Sequence, residues 1–123
     1  MLSDRSLVEA VRALAAENPD FVYVNLKPLS DGTNQSCFYV HQTSEGMTPG
    51  CLIGHAAVRA GVPIEDVAKW DDKDDAGASY VLPSSISERA RDWADYVQGK
   101  QDLGWAWSDA VAKADKEKGD PLV

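Results

Sequence analysis

The stretch that decides the fold is CLIGHAAVRA, residues 51–60, which is apolar on nearly every side of a helical wheel. A helix that is hydrophobic all round is typical of a protein interior. Thr48 is a candidate N-cap for it, Pro49 suits the first helical position, and Gly61 suits the C-terminal end. Gly54 lowers the helix propensity of its middle, which predicts a close approach to another backbone. We therefore predict a central buried helix at 51–60.

Apolar residues recur at helical spacing on both sides of this segment and predict four more helices. Two of them cover 3–17 and 62–70. A third begins near Ser85 and ends at Gly99 or Gly104, and a fourth covers 105–117. The residues predicted to face the core are Leu7, Val8, Val11, Leu14 and Ala15; Ile64, Val67, Ala68 and Trp70; Ile86, Ala90, Trp93 and Val97; and Trp107, Val111 and Ala114.

Two β-branched and aromatic runs predict strands, FVYVNL at 21–26 and CFYVHQ at 37–42. The Asp31-Gly32 turn lies between them, so they are expected to pair as an antiparallel hairpin. The fold class is therefore α+β, a small antiparallel hairpin packed against about five helices. We predict one globular domain at 1–115 and a frayed C-terminal tail at 116–123.

The charge balance limits the classes of partner. Acidic residues outnumber basic ones by 20 to 12, giving a net charge of −8. Nucleic acids and anionic membranes attract basic surfaces, so neither is an expected partner. The sequence has no run of about 20 apolar residues, which predicts a soluble, cytoplasmic protein. It also lacks phosphate-binding and dinucleotide-binding glycine motifs, so no cofactor is expected.

All the cysteines and histidines lie between residues 37 and 55, as Cys37, His41, Cys51 and His55. These are the ligand types of a structural zinc site. Cys51 and His55 have the spacing of two ligands on one helical face. Cys37 and His41 would stand roughly 13 Å apart on a regular strand, which is too far for one metal ion.

Two other interpretations of the same residues remain open. Cys51 at the start of a helix, with His41 as a base, has the arrangement of a cysteine-dependent hydrolase or transferase. Alternatively, the thiols and imidazoles are packing material between a strand and the central helix, since cysteine is among the most buried residue types. We favour the packing interpretation.

Two surfaces are candidates for binding. The densest acidic run covers 65–75 and contains Asp71, Asp72, Asp74 and Asp75. Its spacing does not match a calcium-binding loop, because Pro83 stands where a bidentate glutamate is required. Trp105 lies two residues from Trp107, so a helix cannot bury both on one face. We expect Trp105 to be partly exposed near Gly104, and exposed tryptophan is enriched at binding sites.

The strings CFYVH, GMTPGCLIGHAAVRAGV and QDLGWAWSDAV together resemble small actinobacterial and actinobacteriophage proteins of unassigned function. These proteins carry C-x-Y, then G-x-P-x-C-[LIV]-[IV]-G-x-A, then Gly-Val after one helix, and a later Q-D-x-G-x-x-W. The motif positions here are Cys37, Tyr39, Pro49, Cys51, Gly54, Gly61 and Trp107. His55 falls at a variable position of the pattern.

The resemblance implies a phage or actinobacterial setting and, for a phage-encoded protein, the host cytoplasm. Together with the acidic charge and the weak catalytic signals, it predicts a small accessory protein that acts by protein–protein interaction, with a host protein as a candidate partner. The alternatives are a cysteine-dependent enzyme using Cys51 and His41, or a small zinc protein.

Overall fold

The fold is built around a helix, α2, that covers Leu52–Arg59 and is buried along most of its length. The computed structural model describes residues 2–23, 38–72 and 78–123. Within these residues, α2 packs against α1 and α5 and lies next to a two-stranded antiparallel sheet. The other elements are α1 Asp4–Glu17, β1 Val40–Thr43, β2 Gly46–Pro49, α3 Ile64–Ala68, a short 3₁₀ helix Lys69–Asp72, α4 Ala78–Val81, α5 Glu88–Asp102 and α6 Trp107–Lys118. The predicted α+β class and the central buried helix are confirmed.

The hairpin occupies a later part of the chain than the sequence predicted. Strands β1 and β2 pair in a register that places Val40 opposite Pro49 and Thr43 opposite Gly46. The Thr43 hydroxyl stabilises the intervening turn, because it donates to the Gly46 carbonyl at 2.8 Å and accepts from the Glu45 amide at 3.2 Å. Gly46 has a φ of 113°, which side chains with a Cβ rarely adopt. The local turn therefore brings together two strands that follow each other directly.

The predicted strand at 21–26 is wrong for residues 21–23, which have no regular structure, and residues 24–26 lie outside the described residues. The backbone at Pro19 and Phe21 is engaged by α6 instead. The Trp107 amide donates to the Phe21 carbonyl at 2.9 Å, and the Ser108 amide donates to the Pro19 carbonyl at 3.2 Å. The first amides of a helix have no partner within the helix, so these carbonyls satisfy them.

The start of α2 also differs from the prediction. Thr48 and Pro49 belong to β2, and the helix has Cys51 as its N-cap, without a hydrogen bond from the cysteine side chain. The strand pairing continues past Pro49, because the Gly50 amide donates to the Tyr39 carbonyl at 2.8 Å. The Leu52 amide donates to Oε1 of Gln101, a side chain that is 1% exposed on α5, at 2.8 Å. A distant glutamine thus performs the capping that the local sequence assigned to Thr48.

The predicted core positions of α1, α5 and α6 are confirmed as buried, and Val67 of α3 is buried as well. The predicted close approach at Gly54 is also confirmed. A Cβ built on this residue would lie 2.1 Å from the Tyr39 carbonyl oxygen. The absence of a side chain at Gly54 therefore sets how closely α2 can approach the chain entering β1.

The 3₁₀ helix fixes the beginning of β1. The carboxylate of Asp71 accepts hydrogen bonds from the backbone amides of Tyr39, at 2.8 Å, and Val40, at 3.1 Å. These contacts connect residues more than thirty positions apart in the chain and add charge-assisted hydrogen bonds to a short sheet.

The C-terminal residues continue past the boundary predicted at residue 115. Helix α6 extends to Lys118, and Pro121 is buried. The Arg89 guanidinium donates to the carbonyl of Val123, so the end of the chain contacts α5. None of the helices described is both long enough and apolar enough to cross a membrane.

Candidate functional site

The end of α5 places large apolar side chains on the surface. Leu103, the C-cap residue, is 73% exposed, and Trp105 is 36% exposed. The predicted partial exposure of Trp105 is confirmed. Leu103 was not predicted to be exposed, and it is the most exposed of the large apolar residues at this end of the helix.

A Schellman motif fixes this arrangement. The Gly104 amide donates to the Gln101 carbonyl at 3.0 Å, and the Trp105 amide donates to the Lys100 carbonyl at 3.1 Å. This pair of hydrogen bonds closes a helix when the residue after the C-cap has a positive φ, and Gly104 has a φ of 93°. The backbone that carries Leu103 and Trp105 is therefore held in one conformation.

Two lysines lie against the aromatic rings next to this turn. The Lys100 ammonium is 5.3 Å from the centre of the Tyr96 ring and 5.2 Å from the centre of the Trp105 ring. Lys118, at the end of α6, places its ammonium 5.9 Å from the Tyr96 ring. These are cation–π distances, at which a ring stabilises a cation without neutralising its charge. We name Tyr96, Lys100, Leu103 and Trp105 the α5 terminal surface.

A groove of about 370 Å³ runs along α5 beside this surface. Residues 92, 96, 99 and 103 are spaced by four, three and four positions, so they follow one face of the helix. Gly99 leaves a gap in the middle of this face, because a Cβ built on it would meet nothing within 4 Å. The lining residues are Asp92, Asp95, Tyr96, Gly99, Lys100, Leu103 and Lys118. The spacing is visible in the sequence, but the groove depends on where α6 packs.

The predicted nucleophile, Cys51, is fully buried. Its Sγ lies 4.0 Å from Nε2 of Gln98, a residue that is itself 5% exposed on α5. Gln98 also accepts through Oε1 from the Tyr39 hydroxyl at 3.3 Å and from the Ala78 amide at 2.9 Å. The thiol thus lies beside a buried polar network that joins Tyr39, α4 and α5, and Cys51 has no exposed surface.

The two histidine side chains contact different residues. His41 is 6% exposed, and its Nε2 lies 3.2 Å from the Tyr23 hydroxyl, which accepts a hydrogen bond from the Phe38 amide at 3.0 Å. His55 is half-buried against Trp107, with ring centres 5.5 Å apart. Burial lowers the pKa of His55, and the nearby charge of His41 lowers it further.

Neither a complete metal site nor the full acidic run can be assembled from the described residues. They contain no group of three or more histidine, cysteine or acidic side chains that could hold a metal ion. Cys37, Asp74 and Asp75 lie outside the described residues, and Asp72 is the last residue of the 3₁₀ helix. Asp71 is engaged by the two amides at the start of β1.

Comparisons of the chain with protein-family models, with curated proteins and with solved structures give no match. The functional argument therefore rests on the geometry of the α5 terminal surface and of the groove next to it.

Proposed function

We propose that this protein acts by binding another protein through the α5 terminal surface. The observation that carries the proposal is the joint exposure of Leu103 and Trp105 beside a groove. Contiguous exposed apolar residues are typical of interaction sites, and tryptophan and tyrosine are enriched among the residues that contribute most to binding. Trp105 and Tyr96 supply both aromatic types at one place on the surface.

The rigid backbone of this surface supports the proposal. Binding costs free energy when loops and side chains must be ordered, and that cost is smaller when the surface is already ordered. The two hydrogen bonds of the Schellman motif hold the turn, and the contact between Lys100 and the Trp105 ring restricts the indole. A partner would therefore meet a surface that needs little rearrangement.

The resemblance to actinobacterial and actinobacteriophage proteins suggests where such a partner would be found. For a phage-encoded chain, the partner is a protein of the bacterial host, and binding takes place in the host cytoplasm. A cysteine-dependent activity of Cys51 with His41, and a zinc site, are not proposed further, because no contact described here favours either of them.

The proposal is tested by site-specific photocrosslinking from position 103 in an actinobacterial lysate, with captured proteins identified by mass spectrometry. Tyr80, which is 78% exposed on α4 and does not line the groove, provides a second crosslinking position. We expect a protein that is captured from position 103 and not from position 80.

Trp105→Ala and Tyr80→Ala then serve as the paired variants for the captured protein. Because truncating a residue of this kind typically costs about 2 kcal/mol or more, Trp105→Ala should weaken binding roughly 30-fold. Tyr80→Ala should bind like the unmodified chain. Equal binding by both variants, or no capture specific to position 103, would contradict the proposed function.

A further inference from the structure

Two polar rings connect α2 to the start of α6. His55 of α2 contacts Trp107, the first residue of α6, in a T-shaped arrangement with ring centres 5.5 Å apart. Trp107 is 2% exposed, and no described atom accepts a hydrogen bond from its indole Nε1. The half-buried imidazole of His55 likewise forms neither a hydrogen bond nor an ion pair with the described residues. Because buried polar groups usually have a partner, this contact contributes less to stability than a satisfied one.

The start of α6 also lacks a side-chain cap. Its N-cap residue is Ala106, whereas Ser87, the N-cap residue of α5, accepts from a backbone amide of its own helix at 3.2 Å. The first two amides of α6 donate to the carbonyls of Phe21 and Pro19. This end of α6 is therefore held by contacts with other parts of the chain and not by its own cap.

Protonation of His55 makes this contact less favourable. A neutral imidazole has one donor nitrogen and one acceptor nitrogen, whereas the protonated ring has two donors and no acceptor. The Trp107 indole is a donor only, so a protonated His55 leaves the contact with donors alone. Protonation also places a positive charge at a half-buried position, and burial disfavours the charged form.

The nearest charged groups do not offset this cost. Burial lowers the pKa of His55, and the charge of His41, which faces it from β1, lowers that pKa further. On α2 itself, Arg59 follows His55 by four positions and carries the same sign of charge. Its guanidinium is paired with Glu17 of α1 at 2.8 Å, so that carboxylate is already engaged.

The other neighbouring elements supply no carboxylate in ion-pair contact. Within the described part of the chain, His55 forms no ion pair with Asp109 in the first turn of α6, nor with Glu65 or Asp66 of α3. Strand β2 has no titratable side chain. The α5 side chains that approach the start of α2 with hydrogen-bonding atoms are two uncharged glutamines. A positive charge on His55 is therefore not compensated.

We propose that this contact is an acid-sensitive device, in which protonation of His55 weakens the attachment of the start of α6 to α2 and lowers the stability of the fold. The first turn of α6 opens before the rest of the molecule, because it has no side-chain cap of its own. Trp105 precedes Trp107 by two residues, so the device acts next to the α5 terminal surface. The inference does not depend on the proposed function.

Urea denaturation of the unmodified chain and of His55→Gln, between about pH 8 and pH 5, tests the effect on stability. Since the native pKa of His55 lies below its ordinary value of 6.5, the unfolded chain binds the proton first. The stability is complete above the unfolded pKa and falls as the pH falls through it. Each unit by which the native pKa is lowered raises the unfolding constant about tenfold in acid. We expect this loss in the unmodified chain and a smaller one in His55→Gln.

Amide hydrogen exchange shows where the molecule opens. The Ala110 amide donates to the Ala106 carbonyl in the first turn of α6, at 2.9 Å. The Arg91 amide donates to the Ser87 carbonyl at the same distance in the first turn of α5, which makes it the matched control. After correction for the intrinsic exchange rate, we expect acid to lower the protection of Ala110 and not that of Arg91. His55→Gln should abolish the difference.

The opposing effect is a cation–π attraction between protonated His55 and the Trp107 ring, which would raise the pKa of His55. Titration of the His55 imidazole by NMR in the unmodified chain separates the two, and we expect a midpoint below 6.5. A midpoint at or above that value overturns the inference without any variant. Equal pH dependence of the unmodified chain and His55→Gln overturns it as well. So does an equal loss of protection at both amides, since acid would then unfold the molecule without opening the start of α6 first.

Discussion

Two glycines within helices illustrate how the surroundings of a residue decide its role. Gly54 of α2 and Gly99 of α5 both lower helix propensity. A Cβ on Gly54 would lie 2.1 Å from the Tyr39 carbonyl oxygen and 2.9 Å from its carbonyl carbon, which are backbone atoms with no freedom to move aside. A Cβ on Gly99 would meet nothing within 4 Å. One glycine is thus required for packing and the other is not.

We expect Gly54→Ala to lower the free energy of unfolding by about 2–4 kcal/mol, because α2 and the backbone at Tyr39 must separate to admit the methyl group. Gly99→Ala should raise it by about 0.5–1 kcal/mol through helix propensity alone. Urea denaturation followed by circular dichroism measures both. Equal effects of the two substitutions would show that the close approach at Gly54 is not what limits the packing.

Single residues also show which structural features could be predicted from the sequence and which could not. The glycine in an otherwise apolar helix predicted the close approach at Gly54, because few other reasons place glycine there. The capping of α2 could not be predicted in the same way, since the side chain that accepts from Leu52 is Gln101, which is 49 residues away. Likewise, the spacing of Trp105 and Trp107 predicted exposure of one tryptophan, whereas Leu103 is exposed only because the chain turns at Gly104.

Between elements, one ion pair connects three helices. Arg12 of α1 forms a bidentate salt bridge with Asp115 of α6, at 2.6 and 2.8 Å, and its guanidinium lies over the ring of Trp93 of α5, 5.2 Å from the ring centre. The Trp93 indole donates to the same carboxylate at 3.0 Å, and Asp120 approaches Arg12 at 3.2 Å. The carboxylate of Asp115 therefore joins α1, α5 and α6 at one point.

We expect Asp115→Asn to lower the free energy of unfolding by about 1–3 kcal/mol at neutral pH, because charge-assisted hydrogen bonds to a partly buried group are lost. Lys113→Gln, which removes a single ion pair between residues four positions apart on the same helix, should cost no more than about 0.5 kcal/mol. Chemical denaturation of both variants makes the comparison. A cost for Lys113→Gln as large as that for Asp115→Asn would contradict the role of the network.

The same substitution has a defined pH dependence. Burial raises the pKa of Asp115, but hydrogen bonds from Arg12 and Trp93 and the charge of Arg12 outweigh this and leave the pKa below its ordinary value of 3.8. The unfolded chain therefore binds the proton first as the pH falls. The difference between the unmodified chain and Asp115→Asn should be complete above the unfolded pKa and should disappear as the pH falls through the lower native pKa.

The positions of α1, α5 and α6 were predictable because apolar residues recur in them every three or four positions, as the burial of one helix face requires. The hairpin was placed incorrectly because the run at 21–23 has high strand propensity, yet the carbonyls of Pro19 and Phe21 accept from the first amides of α6. Strand pairing depends on long-range competition of this kind, which local propensity does not include.

At the scale of the whole molecule, within the residues that the structure describes, the buried apolar side chains of α1–α6 and of β1 belong to one core. Cys51 lies inside it with no exposed surface, so its thiol reports on the integrity of the entire fold. The overall class was predictable because the buried helix and the amphipathic helices leave few other ways to cover the apolar surface. The groove could not be predicted, because it depends on how α6 packs beside α5.

In a Cys37→Ser background, we expect Cys51 to react with iodoacetamide at least about 10³-fold more slowly in the native protein than in urea, since modification requires opening of the core. Mass spectrometry after timed quenching measures the rate. The rate should rise with urea concentration in parallel with unfolding measured by circular dichroism. Rapid modification of the native thiol would instead reveal an accessible nucleophile and revive the cysteine-dependent enzyme as a hypothesis.

The carboxylate of Asp71 has a consequence for how this protein behaves at high concentration. A sheet of two strands has unsatisfied amides along its outer sides, and these can recruit strands from other chains. Because Asp71 accepts from Tyr39 and Val40, the outer side of β1 is sealed where the strand begins. A strand from another chain cannot bond to these two amides while Asp71 holds them, so Asp71 limits strand addition at the start of β1.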